Sequence, residues 1–302
     1  MKRIDLKIGF QCNNRCLFCV QGDKRDIFPN KSDGEVREIL KKNACDCRGV
    51  VFTGGEPTIS ESLVSWVKYA KKLGYQDIMI QTNGRLFAYR DYCEAIIKAG
   101  ANQFSPALHG STAHIHDSLT RAPGSFKQTV QGIKNLRALG QYVATNSVIT
   151  KLNYKDLPNL AKLLVKLGVN QFQFAFIHIN QIILNNPELI NKIIPRHKEI
   201  EPYVKKGLRL GVNASVAVMT EAIPYCFMKD YEGFVAERII PDADVFDAEF
   251  EIKDYTSYRR NEGKARGPAC PKCKYFKVCE GPWKEYPQIF GWEEFQPVKD
   301  KK

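Results

Sequence analysis

The sequence predicts an α/β chain: an open, three-quarter barrel, a partial (β/α)6 TIM barrel, followed by a small C-terminal module. Three observations predict it. Strand-like and helix-like segments alternate six times between residues 4 and 206, which implies a parallel sheet with helices packed outside it. The rhythm breaks near residue 215, after which short strand-like pieces mix with acidic residues as far as residue 260. "GPACPKCKYFKVCEGPW" (267–283) then gathers glycine, proline and cysteine in one stretch. The expected division is therefore 1–215 and 216–302. Six units fall short of the eight that close a TIM barrel, and a doubly wound sheet is the second choice.

The elements follow in order. Residues 4–10, "IDLKIGF", alternate like a strand. Ser32 and Glu35 make a capping box that opens a helix reaching about Lys42. "VVFTGG" (50–55) is a short buried strand ending in glycines, and Leu63, Trp66, Val67 and Ala70 keep helical spacing before Gly74 ends that helix. "DIMIQTNG" (77–84) is the third strand, followed by a helix over 90–98 and a strand over 102–108. Ser125 is the expected cap of a helix whose stripe is Phe126, Val130, Ile133 and Leu136. "YVATNSVIT" (142–150) is a strand, and Leu157, Leu160, Ala161 and Leu164 mark the next helix. "QFQFAFIHI" (171–179) is the sixth strand, with a helix near 197–206 after it. In a sheet of this kind the chemistry belongs at the C-terminal ends of the strands.

With 302 residues, 44% hydrophobic and 26% charged, the chain has a soluble globular composition. No apolar run approaches the roughly 20 residues of a membrane helix, and the first residues lack the apolar core of a secretory signal. We read a cytoplasmic protein without membrane contact. The net charge of +12 is uneven: residues 1–210 hold 31 Lys and Arg against 17 Asp and Glu, and residues 211–302 hold 14 against 16. A basic first part suits an acidic partner. The absence of a dense basic stripe with interleaved aromatics argues against nucleic acid.

Ten cysteines in a chain read as cytoplasmic argue for metal or iron–sulfur ligation rather than disulfides. Three of them, Cys12, Cys16 and Cys19, fall in "CNNRCLFC" at the end of the first strand. Three thiolates on one short loop ligate three irons of a cubane 4Fe–4S cluster, and an iron without a protein ligand is left to bind something else. Zinc would want four ligands in tighter pairs, and a redox C-x-x-C would leave Cys12 unexplained. Cys270, Cys273 and Cys279 form a second group, with Cys226 upstream in "IPYCFMKDYEG"; four thiolates suit either a zinc ribbon or a closed 4Fe–4S site. Cys45, Cys47 and Cys93 are expected to pack as small apolar groups. "HGSTAHIHD" (109–117) reads as a polar loop rather than a second metal site.

"CNNRCLFC", with Phe18 at the aromatic position, resembles the signature of the radical S-adenosylmethionine (SAM) superfamily. "GGEP" (54–57) ending the second strand and "QTNG" (81–84) ending the third are similar to that family's further motifs. The resemblance covers about residues 4–180. It implies that SAM chelates the open iron and that one electron from the cluster splits the sulfonium into methionine and a 5′-deoxyadenosyl radical. That radical then abstracts hydrogen from a substrate. It also implies an external electron donor of the flavodoxin or ferredoxin type.

Residue by residue, the resemblance implies that the backbone carbonyls of Gly54, Gly55 and Glu56 take the methionine amino group and that Phe18 faces the adenine. Ser105, His109, Asn146 and Ser147 would meet the ribose or carboxylate, Arg121 would pair with the carboxylate, and His178 would reach the substrate. The second cysteine group resembles the C-terminal SPASM and twitch modules of such enzymes. That implies one auxiliary 4Fe–4S cluster on Cys226, Cys270, Cys273 and Cys279, with a hairpin in "GFVAERIIP" (233–241). The expected activity is hydrogen abstraction from a peptide or small polar metabolite. RNA modification and a non-catalytic iron–sulfur electron carrier are the alternatives; GGEP speaks against the carrier, which has no use for SAM.

Overall fold

The computed structural model describes residues 2–248 and 250–299. Its nine strands are β1 (Arg3–Lys7), β2 (Gly49–Thr53), β3 (Asp77–Thr82), β4 (Gln103–Pro106), β5 (Tyr142–Ile149), β6 (Gln171–Phe176), β7 (Ala217–Glu221), β8 (Ala243–Phe246) and β9 (Glu251–Ile252). They form one sheet in the order β7-β6-β5-β4-β3-β2-β1-β8-β9, parallel throughout except for the β8–β9 pair. From β1 to β7 every crossover steps to the same side. A doubly wound sheet would reverse direction at a switch point, so the barrel alternative holds: helices cover one face and the sheet curls around the other. The sheet stays open, with β7 and β9 as its edges.

The helices are α1 (Lys24–Ile27), α2 (Asp33–Asn43), α3 (Leu63–Lys72), α4 (Arg90–Ala99), α5 (Ala113–Thr120), α6 (Ser125–Ala138), α7 (Leu157–Lys166), α8 (Gln181–Leu184), α9 (Pro187–Ile193), α10 (His197–Asn213), α11 (Tyr255–Tyr258) and α12 (Tyr286–Phe290). The expected capping box opens α2: Ser32 accepts from the Glu35 N–H while Glu35 accepts from the Ser32 N–H. Among the described residues, no helix is long and apolar enough to cross a membrane.

Several expectations need correction. Ser125 does not cap α6; it is the first helical residue. The Asp117 carboxylate does the capping, accepting from the N–H of Gly124 and Phe126 and from the Ser125 hydroxyl at 2.7–2.8 Å. "HGSTAHIHD" is no loop, because Thr112 caps α5 there. The stretch 233–241 forms 3-10 turns, and the antiparallel hairpin is β8–β9 instead. Cys47 and Cys93 lie in the core as expected, but Cys45 is exposed. The sheet also gains three strands after residue 215, with β7 pairing β6 and β8 pairing β1.

Strand alternation decides what the inside of the barrel is made of. In β5, Val143, Thr145, Ser147 and Ile149 are fully buried toward the helices, whereas Ala144, Asn146 and Val148 are half-buried on the other face. Carried across the sheet by register, the inner face holds Asp5, Lys7, Thr53, Gln81, Ser105, Asn146, Gln173 and Glu221. Val51, Met79, Val148 and Met219 share that face, so it pairs polar groups with apolar ones and suits a guest with polar groups to hold. The helix-facing side carries the apolar core, from Ile4 and Phe52 to Phe104 and Phe174.

His197, at the start of α10, is fully buried among Phe176, Phe227, Tyr286 and Phe295, and among the described residues neither ring nitrogen has a hydrogen-bond partner. Burial, then Lys264, drives its pKa well below the usual histidine value. An unpartnered buried polar ring costs about 1–3 kcal/mol. His197→Phe is therefore expected to raise stability by about 1–2 kcal/mol at pH 7. A histidine with a depressed folded pKa contributes stability above its unfolded pKa of about 6.5 and loses it as pH falls toward the folded value. The variant's advantage should therefore grow between pH 7 and pH 5, read by denaturant melts at both.

Candidate metal centre and cofactor cleft

The loop after β1 is held in place by the ends of four other strand–helix units. The Gly55 and Glu56 N–H groups donate to the Gly9 and Gln11 carbonyls at 2.8 Å. A Cβ on Gly54 would lie 2.1 Å from the Gly9 oxygen, and one on Gly55 would lie 2.2 Å from the Gln11 oxygen. These are backbone contacts that cannot yield, and Gly54 also has φ 128°. On another side, the Arg15 and Leu17 N–H groups donate to the Thr120 and Leu119 carbonyls at the end of α5, at 2.9 and 3.0 Å. Arg85, just past β3, reaches the Asn13 carbonyl and the Asn14 side chain, and Asn180, past β6, donates to the Cys19 carbonyl at 2.9 Å. None of these bonds uses a thiol.

The three thiols sit within electrostatic range of one another. Burial, then the charges of Cys19 and Cys12, pushes the Cys16 thiol up to about 12, and burial also raises Cys12. The Asn14 N–H and the Asn83 amide donate to Cys12 Sγ at 3.3 and 3.9 Å, and Arg25 donates to Cys19 Sγ at 3.6 Å. Three adjacent thiolates at neutral pH need cationic charge among them, which a metal group supplies.

Glu56 joins this loop to β3. Its buried carboxylate accepts from Thr58, from the Thr82 hydroxyl at 2.7 Å and from the Asn83 N–H at 2.6 Å. Burial raises its pKa against the pull of those bonds. Its side chain is thus committed within the protein, leaving its backbone for other work.

The remaining candidates divide between two faces. Phe18 is buried with its ring edge-on to His109 at 4.7 Å. His109 Nδ1 accepts from the Val148 N–H, and His116 Nδ1 accepts from the His109 N–H, both at 3.1 Å. Both rings are therefore held as neutral Nε2–H tautomers; burial depresses both, His116 to about 4. His114 is exposed. Asn146 faces inward, and its buried Oδ1 has no partner among the described residues. Ser147 faces the helices and gives its hydroxyl to the Leu108 carbonyl at 2.6 Å. Ser105 is half-buried beside Gln81. Arg121 is exposed, directly after α5, in a left-handed conformation with φ 52°.

His178 follows β6 with its ring 4.3 Å from Trp283, edge to face, and its buried Nδ1 has no partner among the described residues. Burial, then Lys264 and Lys7, depresses it to about 4. Lys264, itself fully buried, lies over Trp283 at 4.1 Å and near Glu237.

The second cysteine group lines one cavity. Cys226, Cys270, Cys273 and Cys279 surround it together with Tyr225, Phe276 and Phe295. Burial, then Cys279, Cys270 and Cys273, pushes the Cys226 thiol up. The Gly267 and Val298 N–H groups donate to Cys270 and Cys273 Sγ at 3.2 and 3.4 Å. Among the described residues, no three His, Cys, Asp or Glu side chains converge closely enough to hold one metal ion.

Sequence reading missed Asn14, Arg25 and Arg85 around the first loop, and the Lys264–Trp283 pair beside His178. Asn14 and Asn83 lay inside the motifs "CNNRCLFC" and "QTNG", whereas Arg25 and Lys264 stood in no motif.

Comparison with known proteins agrees with the geometry. The family description "Radical SAM superfamily" matches residues 6–200. A probable GTP 3′,8-cyclase of Saccharolobus islandicus is 29% identical over 211 residues, covering 67% of this chain and 65% of that protein. An AdoMet-dependent heme synthase of Oleidesulfovibrio alaskensis is 26% identical over 159 residues, 52% of this chain and 40% of that one. The chain thus spans about 65% of the length of the first of these relatives. Among solved structures, Streptococcus suis SuiB bound to S-adenosylmethionine superposes with a TM-score of 0.69 at 14% identity, over 98% of this chain and 76% of that one. Native anSMEcpe with bound AdoMet and the Kp18Cys peptide gives 0.69 at 13% identity, over 97% and 95%. At such identities the likeness is one of fold.

Proposed function

This chain belongs to the radical SAM superfamily, and from that premise we propose that it abstracts hydrogen from a small polar metabolite or a peptide, assisted by an auxiliary 4Fe–4S cluster. It is an enzyme that uses a 4Fe–4S cluster and SAM. The observation that carries the reading is the first loop itself, which gathers Cys12, Cys16 and Cys19 within eight residues while its Gly9 and Gln11 carbonyls accept from the Gly55 and Glu56 N–H groups. Bound there, the cluster and SAM supply one-electron cleavage of a sulfonium and a carbon-centred radical.

The chain's own residues do the rest. Cys12, Cys16 and Cys19 hold three irons. Carbonyls of Gly54, Gly55 and Glu56 orient the methionine amino group, and Phe18 packs on the adenine. Asn146 offers its unpartnered Oδ1 to a donor on the ribose, with Ser105 on the same inner face; the buried His109 and Ser147 support this wall from behind through the Val148 N–H and the Leu108 carbonyl, and Arg121 pairs with the carboxylate. The inner face seats the substrate, with His178 touching it, and the surrounding core keeps water away.

The auxiliary cluster would sit on Cys226, Cys270, Cys273 and Cys279, in a C-terminal unit of residues 216–302. Its support is that these four cysteines, far apart in sequence, line one cavity. A cluster held by these four cysteines would supply a one-electron acceptor for the reaction, and an external flavodoxin- or ferredoxin-type donor would supply the electron that the first site needs. Anaerobic reconstitution tests this reading: about eight irons per chain are expected. About four irons with bound zinc would overturn the second cluster.

A further inference from the structure

The second cysteine group is walled on one side by a segment that no cysteine pattern includes. Residues 292–298 run from the start of α10 to Cys273, and both ends are fixed. At the first end Glu294 accepts from the Lys198 N–H at 3.0 Å and from the Tyr286 hydroxyl, and it pairs with Arg196 at 3.2 Å. Phe295, 5% exposed, packs edge-on against Phe227, Tyr286 and Trp292, with ring centroids 5.3–5.8 Å apart. At the other end the Val298 carbonyl accepts from the Lys274 N–H at 2.9 Å, while the Val298 N–H donates to Cys273 Sγ at 3.4 Å. Between these anchors Phe295, Gln296 and Pro297 line the cavity that Cys226, Cys270, Cys273 and Cys279 share.

Other sulfurs of the group draw their donors from nearby in the chain. Cys270 accepts from the Gly267 N–H at 3.2 Å. Burial raises the Cys279 thiol, and the Tyr225 and Gly281 N–H groups pull against it. Val298 stands apart, 25 residues beyond Cys273. Lys272 and Lys274, on either side of Cys273, are exposed, so this sulfur lies close to water. An N–H aimed at a thiolate sulfur favours the more negative state of the metal group that the sulfur holds, and so raises its reduction potential.

We infer that residues 292–298 are a redox strap: by holding the Val298 N–H on Cys273 they raise the reduction potential of the auxiliary 4Fe–4S cluster and make it the readier electron acceptor. This deepens the function proposed above and rests on its auxiliary cluster. One electron enters and the amide keeps its proton. The donor is backbone, so the side chain at position 298 is immaterial as long as an N–H remains. Proline alone among the standard residues removes it.

The test uses protein with alanine in place of Cys12, Cys16 and Cys19, so that only the second site holds iron. Titration with dithionite, followed by electron paramagnetic resonance, compares this parent with Val298→Ala and Val298→Pro. Val298→Ala is expected to keep the parent potential. Val298→Pro should be roughly tenfold harder to reduce, a fall of about 59 mV for one electron. Iron counts of about four per chain show that each protein is loaded. Should proline cost the iron, nitrogen-labelled valine decides: hyperfine coupling to the reduced cluster is expected in the parent and lost in Val298→Ala. An unchanged potential in loaded Val298→Pro, an equal fall in Val298→Ala, or no coupling that depends on Val298 would overturn the strap. A parent without iron would overturn the auxiliary cluster itself, and the iron count alone tells the two failures apart.

Discussion

Replacing Cys12, Cys16 and Cys19 together with alanine is expected to leave a folded protein with about half its iron, about four per chain. SAM-dependent 5′-deoxyadenosine formation should fall by at least about 10³-fold, the scale on which loss of a catalytic group acts. Folding should survive because the loop is fixed by the Gly55–Gly9, Glu56–Gln11, Arg15–Thr120 and Leu17–Leu119 backbone bonds, none of which uses sulfur. Removing the thiols also removes the mutual repulsion that raises Cys16. Iron analysis and chromatographic assay of 5′-deoxyadenosine check both halves. A variant that kept all its iron, or kept cleaving SAM, would place the reactive cluster elsewhere.

The second large effect lies beside the other cysteine group. Arg259, 1% exposed, holds Glu280 through two parallel bonds of 2.7 and 2.8 Å, and Arg260 adds a third from the surface. Burial pushes the Glu280 carboxyl up, and the Arg259 bonds and charge outweigh it, so the group titrates below the usual range. Arg259→Met keeps most of the side-chain volume but leaves the buried carboxylate with only the half-exposed Arg260, a loss of up to about 3–5 kcal/mol. Adding Glu280→Leu should return most of that stability, since a well-packed apolar pair is often neutral or better. Denaturant unfolding of the single and double variants measures this as a cycle. Because Glu280 follows Cys279 directly, the single variant should also retain less iron at the second site. A single variant as stable as the wild type would show that the pair is not a structural anchor.

How much of this the chain announced depends on the range of each signal. The six strand–helix units were legible because their apolar residues repeat at fixed short periods, as in Leu63, Trp66, Val67 and Ala70 of α3. The first cysteine loop and GGEP were legible because each is a contiguous motif. β8 was not, since all four of its residues are buried and no alternation marks it. α5 hid behind the polar look of "HGSTAHIHD", where only Thr112 signalled a start. Asp117 capping α6 was out of reach because its partners lie seven to nine residues on, outside the local capping pattern. Least visible of all was the Lys7–Asp247 ion pair: its members are 240 residues apart and meet only because β8 pairs with β1.

The central claim is that the cluster on Cys12, Cys16 and Cys19 keeps one iron without a protein ligand, so that SAM binds it. The direct measurement is electron–nuclear double resonance on the reduced protein, given SAM labelled at its amino nitrogen and carboxylate carbon. Alanine in place of Cys270, Cys273 and Cys279 leaves only the first cluster in view. The account predicts hyperfine coupling from both labels to that cluster. A four-iron cluster with no coupling to either label, or zinc in place of iron at these thiols, would contradict it.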